Sequence, residues 1–130
     1  MPRSNRERSD ATRTALLDAA RTLFMKKGYA DTATPEIVTA ADVTRGALYH
    51  HFPDKKALFW AVIEREANNV ATDIDARSAK ASSAREALLQ GASAYFDAMA
   101  VPGRTRLLLK EAPPSTRSTA VKETIRPNRA

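Results

Sequence analysis

The apolar positions along the chain recur at helical spacing and do not alternate as they do in strands. Between Thr12 and Lys27 the larger apolar side chains fall at i, i+4, i+7 and i+8, with charged residues between them. This spacing predicts an amphipathic helix of about four turns. Ser9 or Asp10 is expected to cap its beginning, and Gly28 stands where a left-handed residue commonly ends a helix.

Two shorter segments follow, each framed by residues that typically begin or interrupt a helix. Thr34 and Pro35 open the first segment, as an N-cap and a proline in the first turn. Asp42, which tolerates a left-handed backbone better than most residues, interrupts it. Thr44 then caps a second segment over 45–51. Two short helices separated by three or four residues are typical of a helix-turn-helix.

Helical spacing of apolar residues returns in the second half of the chain and then stops. It predicts a long helix over 55–76, a loop over 77–83, a helix over 84–100 and a shorter helix within 104–112. Beyond that point the sequence is rich in proline, serine and threonine. Such a segment buries too little apolar surface to offset its ordering entropy, so we expect a disordered tail.

Composition narrows the class of protein further. The chain has 130 residues, four glycines and no cysteine. The absence of cysteine excludes disulfide scaffolds, thiolate metal clusters and cysteine nucleophiles. No apolar run approaches the roughly 18 residues of a membrane span. The polar, arginine-rich first residues give no sign of a secretory signal. We therefore expect an all-α protein in the cytoplasm.

The charge is unevenly distributed along the chain. Residues 1–60 hold ten Lys and Arg against seven Asp and Glu, a net of +3, whereas residues 61–109 are neutral and 110–130 again carry +3. A basic front and a neutral middle indicate a part that faces nucleic acid joined to something else. On charge alone, mild basicity that serves only solubility fits equally well.

The second short helix has the chemistry of a recognition helix. Such a helix offers a polar, small-residue beginning to the base edges while its other face packs on the preceding helices. Arg45 can form the bidentate bond to guanine that is the commonest specific contact in the major groove. Gly46 allows the backbone to approach closely. Leu48 and Phe52, four residues apart, are expected to face inward.

Several neighbouring side chains are candidates for contacts with phosphate. Lys55 follows Asp54 at a helix N-terminus, where the dipole adds to the attraction for an anion. Tyr49 fits the same role, although a core aromatic is the alternative. The adjacent His50 and His51 project about 100° apart on a helix and cannot chelate a metal together. We predict no metal and no cofactor.

The segment from Val43 to Leu58, with the core Leu-Tyr-His-His-Phe-Pro-Asp-Lys, stands behind a helix of the form Ala-Leu-Leu-Asp-Ala-Ala-Arg-Thr-Leu-Phe over 15–24. Together with Gly28-Tyr29, these residues resemble the tetracycline-repressor (TetR) family of transcriptional regulators over about 9–63. The resemblance implies a three-helix DNA-binding head, joined through a fourth helix to an all-helical domain for ligand binding and dimerisation.

The resemblance also implies roles for individual residues. Arg45 and Gly46 match base-reading or groove-lining positions, and His51 matches a position whose role varies. Contacts with the DNA backbone are implied for five residues: Thr34, Thr44, Tyr49, His50 and Lys55.

The predicted organisation has three parts. A TetR-type DNA-binding domain spans 9–69, with its helix-turn-helix at about 33–52. An incomplete helical C-terminal domain spans 70–112, and a disordered basic tail spans 113–130. Family members typically extend well past this length, so we expect a chain that is truncated or shifted out of frame near Lys110.

The expected function is sequence-specific DNA binding in transcription regulation, as a ligand-responsive repressor by resemblance. The partner is double-stranded operator DNA, with a small-molecule effector only if the C-terminal domain were complete. A stable homodimer is not expected in so short a chain, nor is a membrane partner. The alternative is a helical interaction module that binds a protein or an acidic ligand without DNA. The chain lacks a Ser-His-acid order, a framed carboxylate pair and a glycine-rich phosphate loop, so we do not expect an enzyme.

Overall fold

The computed structural model describes residues 4–111, and over that range the backbone is helical with no strand. This confirms the all-α prediction. Five α-helices precede a short π-helix. The elements are α1 (Asn5–Lys27), α2 (Thr34–Ala41), α3 (Arg45–His51), α4 (Lys55–Ser78), α5 (Ala84–Met99) and the π-helix Arg106–Glu111. The predicted disordered tail, 113–130, lies outside the described residues.

Helix α1 begins earlier than the apolar spacing predicts. Its N-cap is Ser4, whose hydroxyl oxygen accepts a hydrogen bond of 3.1 Å from the Glu7 amide, so the expected caps Ser9 and Asp10 lie inside the helix. Its first turns are polar on every side and therefore leave no apolar period to detect. The helix ends as expected at Gly28, which has a φ of 84° and donates its amide to the Phe24 carbonyl at 3.0 Å.

The helix-turn-helix consists of α2 and α3, and most of its predicted caps are confirmed. Asp42 ends α2 in the left-handed region, at φ 55° and ψ 48°. The Thr44 hydroxyl accepts a hydrogen bond of 3.0 Å from the Ala47 amide at the beginning of α3. The N-cap of α2 is Ala33, not Thr34. Alanine has no side-chain oxygen to cap the helix. The Glu36 carboxylate still accepts a hydrogen bond of 3.4 Å from the Ala33 amide, which is the reciprocal bond of a capping box.

The chain divides into two compact units after Val62, within α4. In the first unit, which we call the head, the buried apolar side chains come from all four helices. They are Leu16, Leu17, Ala20, Phe24, Ile37, Leu48, Phe52, Leu58, Phe59 and Val62. The Phe24 ring lies at the centre, 5.3 Å from the Phe59 ring and 5.7 Å from the Tyr29 ring. This packing holds α1, the loop after it and α4 together.

The second unit contains the rest of α4, α5 and the π-helix. Its buried apolar residues are few, namely Ile63, Ala94, Ala98 and Leu107. A buried ion pair accompanies them, in which Arg104 donates to Glu66 at 2.8 Å and to the Ala98 carbonyl at 2.7 Å. The structural division falls earlier than the domain boundary expected at 69, which stays a prediction.

Candidate nucleic-acid interface

Helix α3 is held on the head by its buried face. Leu48 is 1% exposed and Phe52 is 3% exposed, as their spacing predicts. The Arg13 guanidinium of α1 lies over the Phe52 ring, 5.3 Å from its centroid. The Phe52 amide in turn donates to the Leu48 carbonyl at 2.8 Å. Packing from several elements therefore fixes the direction in which the opposite face of α3 points.

The opposite face of α3 is open to solvent at its N-terminal end. Thr44, Arg45 and Gly46 are all exposed. A Cβ added to Gly46 would meet only the Thr44 hydroxyl oxygen, at 3.9 Å, among the described side chains and neighbouring elements. The Arg45 guanidinium lies 5.6 Å from the ring centroid of Tyr49, one turn further along. The helix thus presents a cation beside a glycine that nothing in the head covers.

A groove of about 550 Å³ lies beside this face, between the loop after α1 and the junction of α3 with α4. Tyr49, which is 41% exposed, contributes to its wall, so the core alternative for this residue is wrong. Thr34 and Lys55 line it as well. The complete lining is Ala30, Asp31, Thr32, Ala33, Thr34, Pro35, Tyr49, Pro53, Asp54 and Lys55. Three of the predicted backbone-contacting residues therefore share one concave surface.

Lys55 is bound more closely to the head than its sequence position suggests. Its ammonium donates to the carbonyl oxygens of Tyr29 at 2.8 Å and Thr32 at 3.1 Å, and it lies 4.1 Å from the Tyr29 ring centroid. An ammonium has three N–H donors, so these bonds use two of them. Burial, followed by the negative charge of Asp54, raises the pKa of Tyr29. Lys55 thus fastens the loop after α1 to the beginning of α4.

The two histidines differ in environment. His50 is exposed, whereas His51 is half-buried beside α1. Burial lowers the pKa of His51, and the nearby His50 and Arg13 lower it further, against an opposing effect of Asp10. The ring centroids of His50 and His51 are 5.1 Å apart, and the rings are nearly perpendicular. Within residues 4–111, no group of three or more His, Cys, Asp or Glu could hold a metal ion.

The structure thus sorts the predicted site residues into three places. Thr44, Arg45 and Gly46 form the exposed beginning of α3, and Thr34, Tyr49 and Lys55 line the groove. His50 and His51 lie at the far end of α3. Sequence reasoning missed the position of Arg13 beside that end, since only the packing of α1 on α3 brings it there.

Comparison with known proteins identifies the head. Residues 16–62 match the model described as bacterial regulatory proteins, tetR family. A transcriptional regulator of the helix-turn-helix type from Shigella flexneri, named AcrR, is 41% identical over 70 residues, which cover 54% of this chain and 33% of that protein. A transcriptional activator of that type from Mycolicibacterium smegmatis, FasR, is 33% identical over 95 residues, covering 73% of this chain and 43% of its own.

A solved structure extends the likeness beyond the head. The crystal structure of a TetR-family transcriptional regulator from Pectobacterium atrosepticum is 34% identical and superposes with a TM-score of 0.69. The match covers 92% of this chain and 65% of that one. The matches to the two curated relatives cover 33% and 43% of their lengths, so this chain spans less than half of each. In the described part of the chain, no helix is both long enough and apolar enough to cross a bilayer.

Proposed function

Because this chain belongs, through its helix-turn-helix head, to the tetR family of bacterial regulatory proteins, we propose that it is a DNA-binding transcriptional regulator. Helix α3 enters the major groove of an operator with its N-terminal end foremost. One observation carries this proposal. An exposed arginine and an uncovered glycine begin a helix whose other face is buried through Leu48 and Phe52.

Base reading falls to Arg45 in this proposal. Its guanidinium leaves the Tyr49 ring and forms two parallel hydrogen bonds with O6 and N7 of a guanine. Gly46 carries no side chain, so the backbone of α3 approaches the floor of the groove. Thr44 keeps its hydroxyl hydrogen for a phosphate oxygen while its oxygen caps the helix.

Phosphate binding falls to the groove beside α3. Tyr49, Thr34 and Lys55 line it, and we assign the two hydroxyls and the Lys55 ammonium to phosphate oxygens. The ammonium shares this role with its bonds to the carbonyl oxygens of Tyr29 and Thr32. His50 adds an exposed donor further along α3. Contacts of this kind fix the register of a protein on DNA without reading its sequence.

The test compares variants on two DNA duplexes. One duplex is recovered by the wild-type protein from a random pool, and the other is an unselected sequence. Arg45→Ala should cost about 1–3 kcal/mol on the recovered duplex and flatten the preference at one base pair, because a bidentate base contact is lost. Arg85→Ala, which removes the same charge from exposed α5, is the matched control and should change neither affinity.

Lys55→Ala sharpens the same test by separating the two roles. It should weaken both duplexes alike and reduce the slope of log K against log salt by about one unit. Since Lys55 also holds the loop after α1, the melting temperature is measured alongside. If Arg45→Ala and Lys55→Ala change the two affinities in the same way, these role assignments are wrong.

The rival function is a helical interaction module that binds a protein or an acidic ligand. Phosphate contacts release counterions, so a DNA-binding protein loses affinity steeply as salt rises. If the affinity for duplex DNA does not change with salt concentration, or if no binding occurs at low salt, the interaction module is favoured. The exposed and uncovered beginning of α3 favours DNA, because a protein-binding helix of this length would present an apolar face.

Further properties follow as parts of the proposal. The protein acts in the cytoplasm, without catalysis, and as a repressor where its site overlaps a promoter. A reporter gene behind the recovered site decides between repression and activation.

The second unit has a groove of about 220 Å³, below the roughly 300–1,000 Å³ of common ligand pockets. We therefore assign no effector to that groove. Sedimentation with one-half-site and two-half-site duplexes tests the expected lack of a stable dimer.

A further inference from the structure

The polar beginning of α1 passes the C-terminal end of the recognition helix. Helix α1 starts at Asn5, about two turns before the apolar spacing begins. Its Arg13 lies over the ring of Phe52, the residue that ends α3. The charges of Asp10 and Arg13 both act on His51 in the last turn of α3. The face of α1 that carries these two residues therefore borders α3 at the end remote from Arg45.

Arg6 extends the same face of α1. It precedes Asp10 by four residues and Arg13 by seven, and residues at these spacings lie above one another on a helix. All three side chains are exposed. We call Arg6, Asp10 and Arg13 the α1 strip. It continues the stripe that, further along the helix, is buried through Leu17 and Phe24, so the head itself directs it toward α3.

We propose that the α1 strip is a second contact surface for the DNA backbone, with Arg6 as its phosphate ligand. This inference rests on the proposed function. The groove meets the phosphates on the Tyr49 side of α3, and the strip meets those on the His51 side. The Arg13 guanidinium lies over the Phe52 ring, which restricts its position. Arg6 is exposed nearer the beginning of α1, and its guanidinium can bind a phosphate with two hydrogen bonds.

Asp10 provides a second test of the proposal. Its carboxylate lies between the two arginines of the strip and repels phosphate, so it weakens the contact that Arg6 makes. Removing that charge should therefore strengthen binding. A structural role for the strip would not produce this sign, because loss of the Asp10 carboxylate, whose charge acts on His51, would be neutral or harmful to the fold.

Arg8 supplies the matched control. It is exposed on the same two turns of α1, and two residues of helix place it about 200° around the axis from Arg6. Arg6→Ala and Arg8→Ala thus remove the same charge from the same helix on different faces. Long-range attraction between the protein and DNA changes equally in the two variants, and only a direct contact separates them.

The experiment measures affinity for the recovered duplex and for the unselected duplex over a series of salt concentrations. Arg6→Ala should weaken both alike and reduce the salt slope by about 0.9. Arg8→Ala should leave the slope close to that of the wild type, and Asp10→Asn should raise both affinities. Melting temperatures confirm that each variant is folded.

The outcomes separate the inference from the function beneath it. If the wild type binds DNA with a salt-dependent affinity and Arg6→Ala matches Arg8→Ala, the strip is not a contact and the inference is overturned alone. An effect of Arg6→Ala on the recovered duplex only would also overturn it, since that indicates base reading. If the wild type binds neither duplex at low salt, the proposed function fails and the inference fails with it.

Discussion

The head and the second unit differ in which side chains they bury and which they expose. In the head, the buried side chains are apolar apart from Thr32, and the exposed face of α3 carries a cation and polar groups. In the second unit, Glu66 and Arg104 are buried as an ion pair, while Leu88 is 73% exposed and Phe96 is 71% exposed. The head completes its own core. The second unit, over the residues described, leaves the apolar face of α5 uncovered.

This difference shows what helical spacing can and cannot predict. Leu88 and Phe96 recur at helical spacing as clearly as Leu16 and Phe24 do. The spacing correctly predicts the helix in both cases. Burial is a separate question, because it depends on which other elements pack on that face.

The largest expected losses of stability come from one substitution in the core of each unit. Phe24→Ala should cost about 3–5 kcal/mol in the head, because it leaves a cavity beside the rings of Tyr29 and Phe59. Glu66→Ala should cost a similar amount in the second unit, about 3–5 kcal/mol, because the buried Arg104 guanidinium loses its partner at 2.8 Å and keeps only the exposed Asp73 carboxylate, 4.0 Å away. Urea unfolding, followed by circular dichroism, measures both.

A double substitution distinguishes these two causes. Replacing the ion pair by Glu66→Leu with Arg104→Met should restore most of the lost stability, since apolar side chains of similar volume often match a buried pair. Fluorescence of Trp60, the only tryptophan, follows the head and should be unaffected. If the double variant is as unstable as Glu66→Ala, an unpaired buried charge is not the cause of the instability.

Gly46→Ala should separate folding from DNA binding. An added Cβ meets only the Thr44 hydroxyl oxygen, at 3.9 Å, in an ordinary contact. Alanine favours a helix over glycine by up to about 1 kcal/mol, so the melting temperature should hold or rise. Affinity for the recovered duplex should nevertheless fall, because the side chain occupies space that the DNA needs. Unchanged affinity would show that α3 does not approach DNA at this residue.

The smallest effect concerns acid and His51. Its pKa is lowered in the folded head, chiefly by burial, so the unfolded chain takes up a proton more readily once the pH falls below about 6.5. Stability from this group is complete above that pH and declines below it. His51→Gln should reduce the decline in thermal scans between neutral and mildly acidic pH. His50→Gln should retain most of it, because burial lowers the pKa of His51 more than His50 does. A pH profile that neither variant alters would remove His51 as a cause.

Much of the head could be predicted because its signals are local. The bounds of α3 and the caps at Thr44 and Asp54 follow from side chains that act within three residues. Two features were missed: the polar first turns of α1, and the beginning of α2 at an alanine N-cap without a capping hydroxyl. The first has no apolar period. In the second, the Glu36 carboxylate, bound to Lys27 at 2.5 Å, accepts from the Ala33 amide and leaves the N3 amide without a capping side chain.

The missed features of the site are those that depend on tertiary packing. Lys55 was predicted from its place at a helix N-terminus, but its bonds to the carbonyls of Tyr29 and Thr32 cross more than twenty residues of chain. The burial of Arg104 on Glu66 spans 38 residues. No spacing rule links such distant positions, so one sequence without a fold cannot reveal them.

The central claim is that DNA contacts the head through the beginning of α3 and not through the apolar face of α5. Amide chemical shifts of the labelled protein, recorded by NMR during titration with the recovered duplex, test it most directly. We predict that the largest changes occur at Thr44, Arg45 and Gly46, while those at Leu88 and Phe96 stay small. Largest changes on α5, with α3 unaffected, would contradict the account.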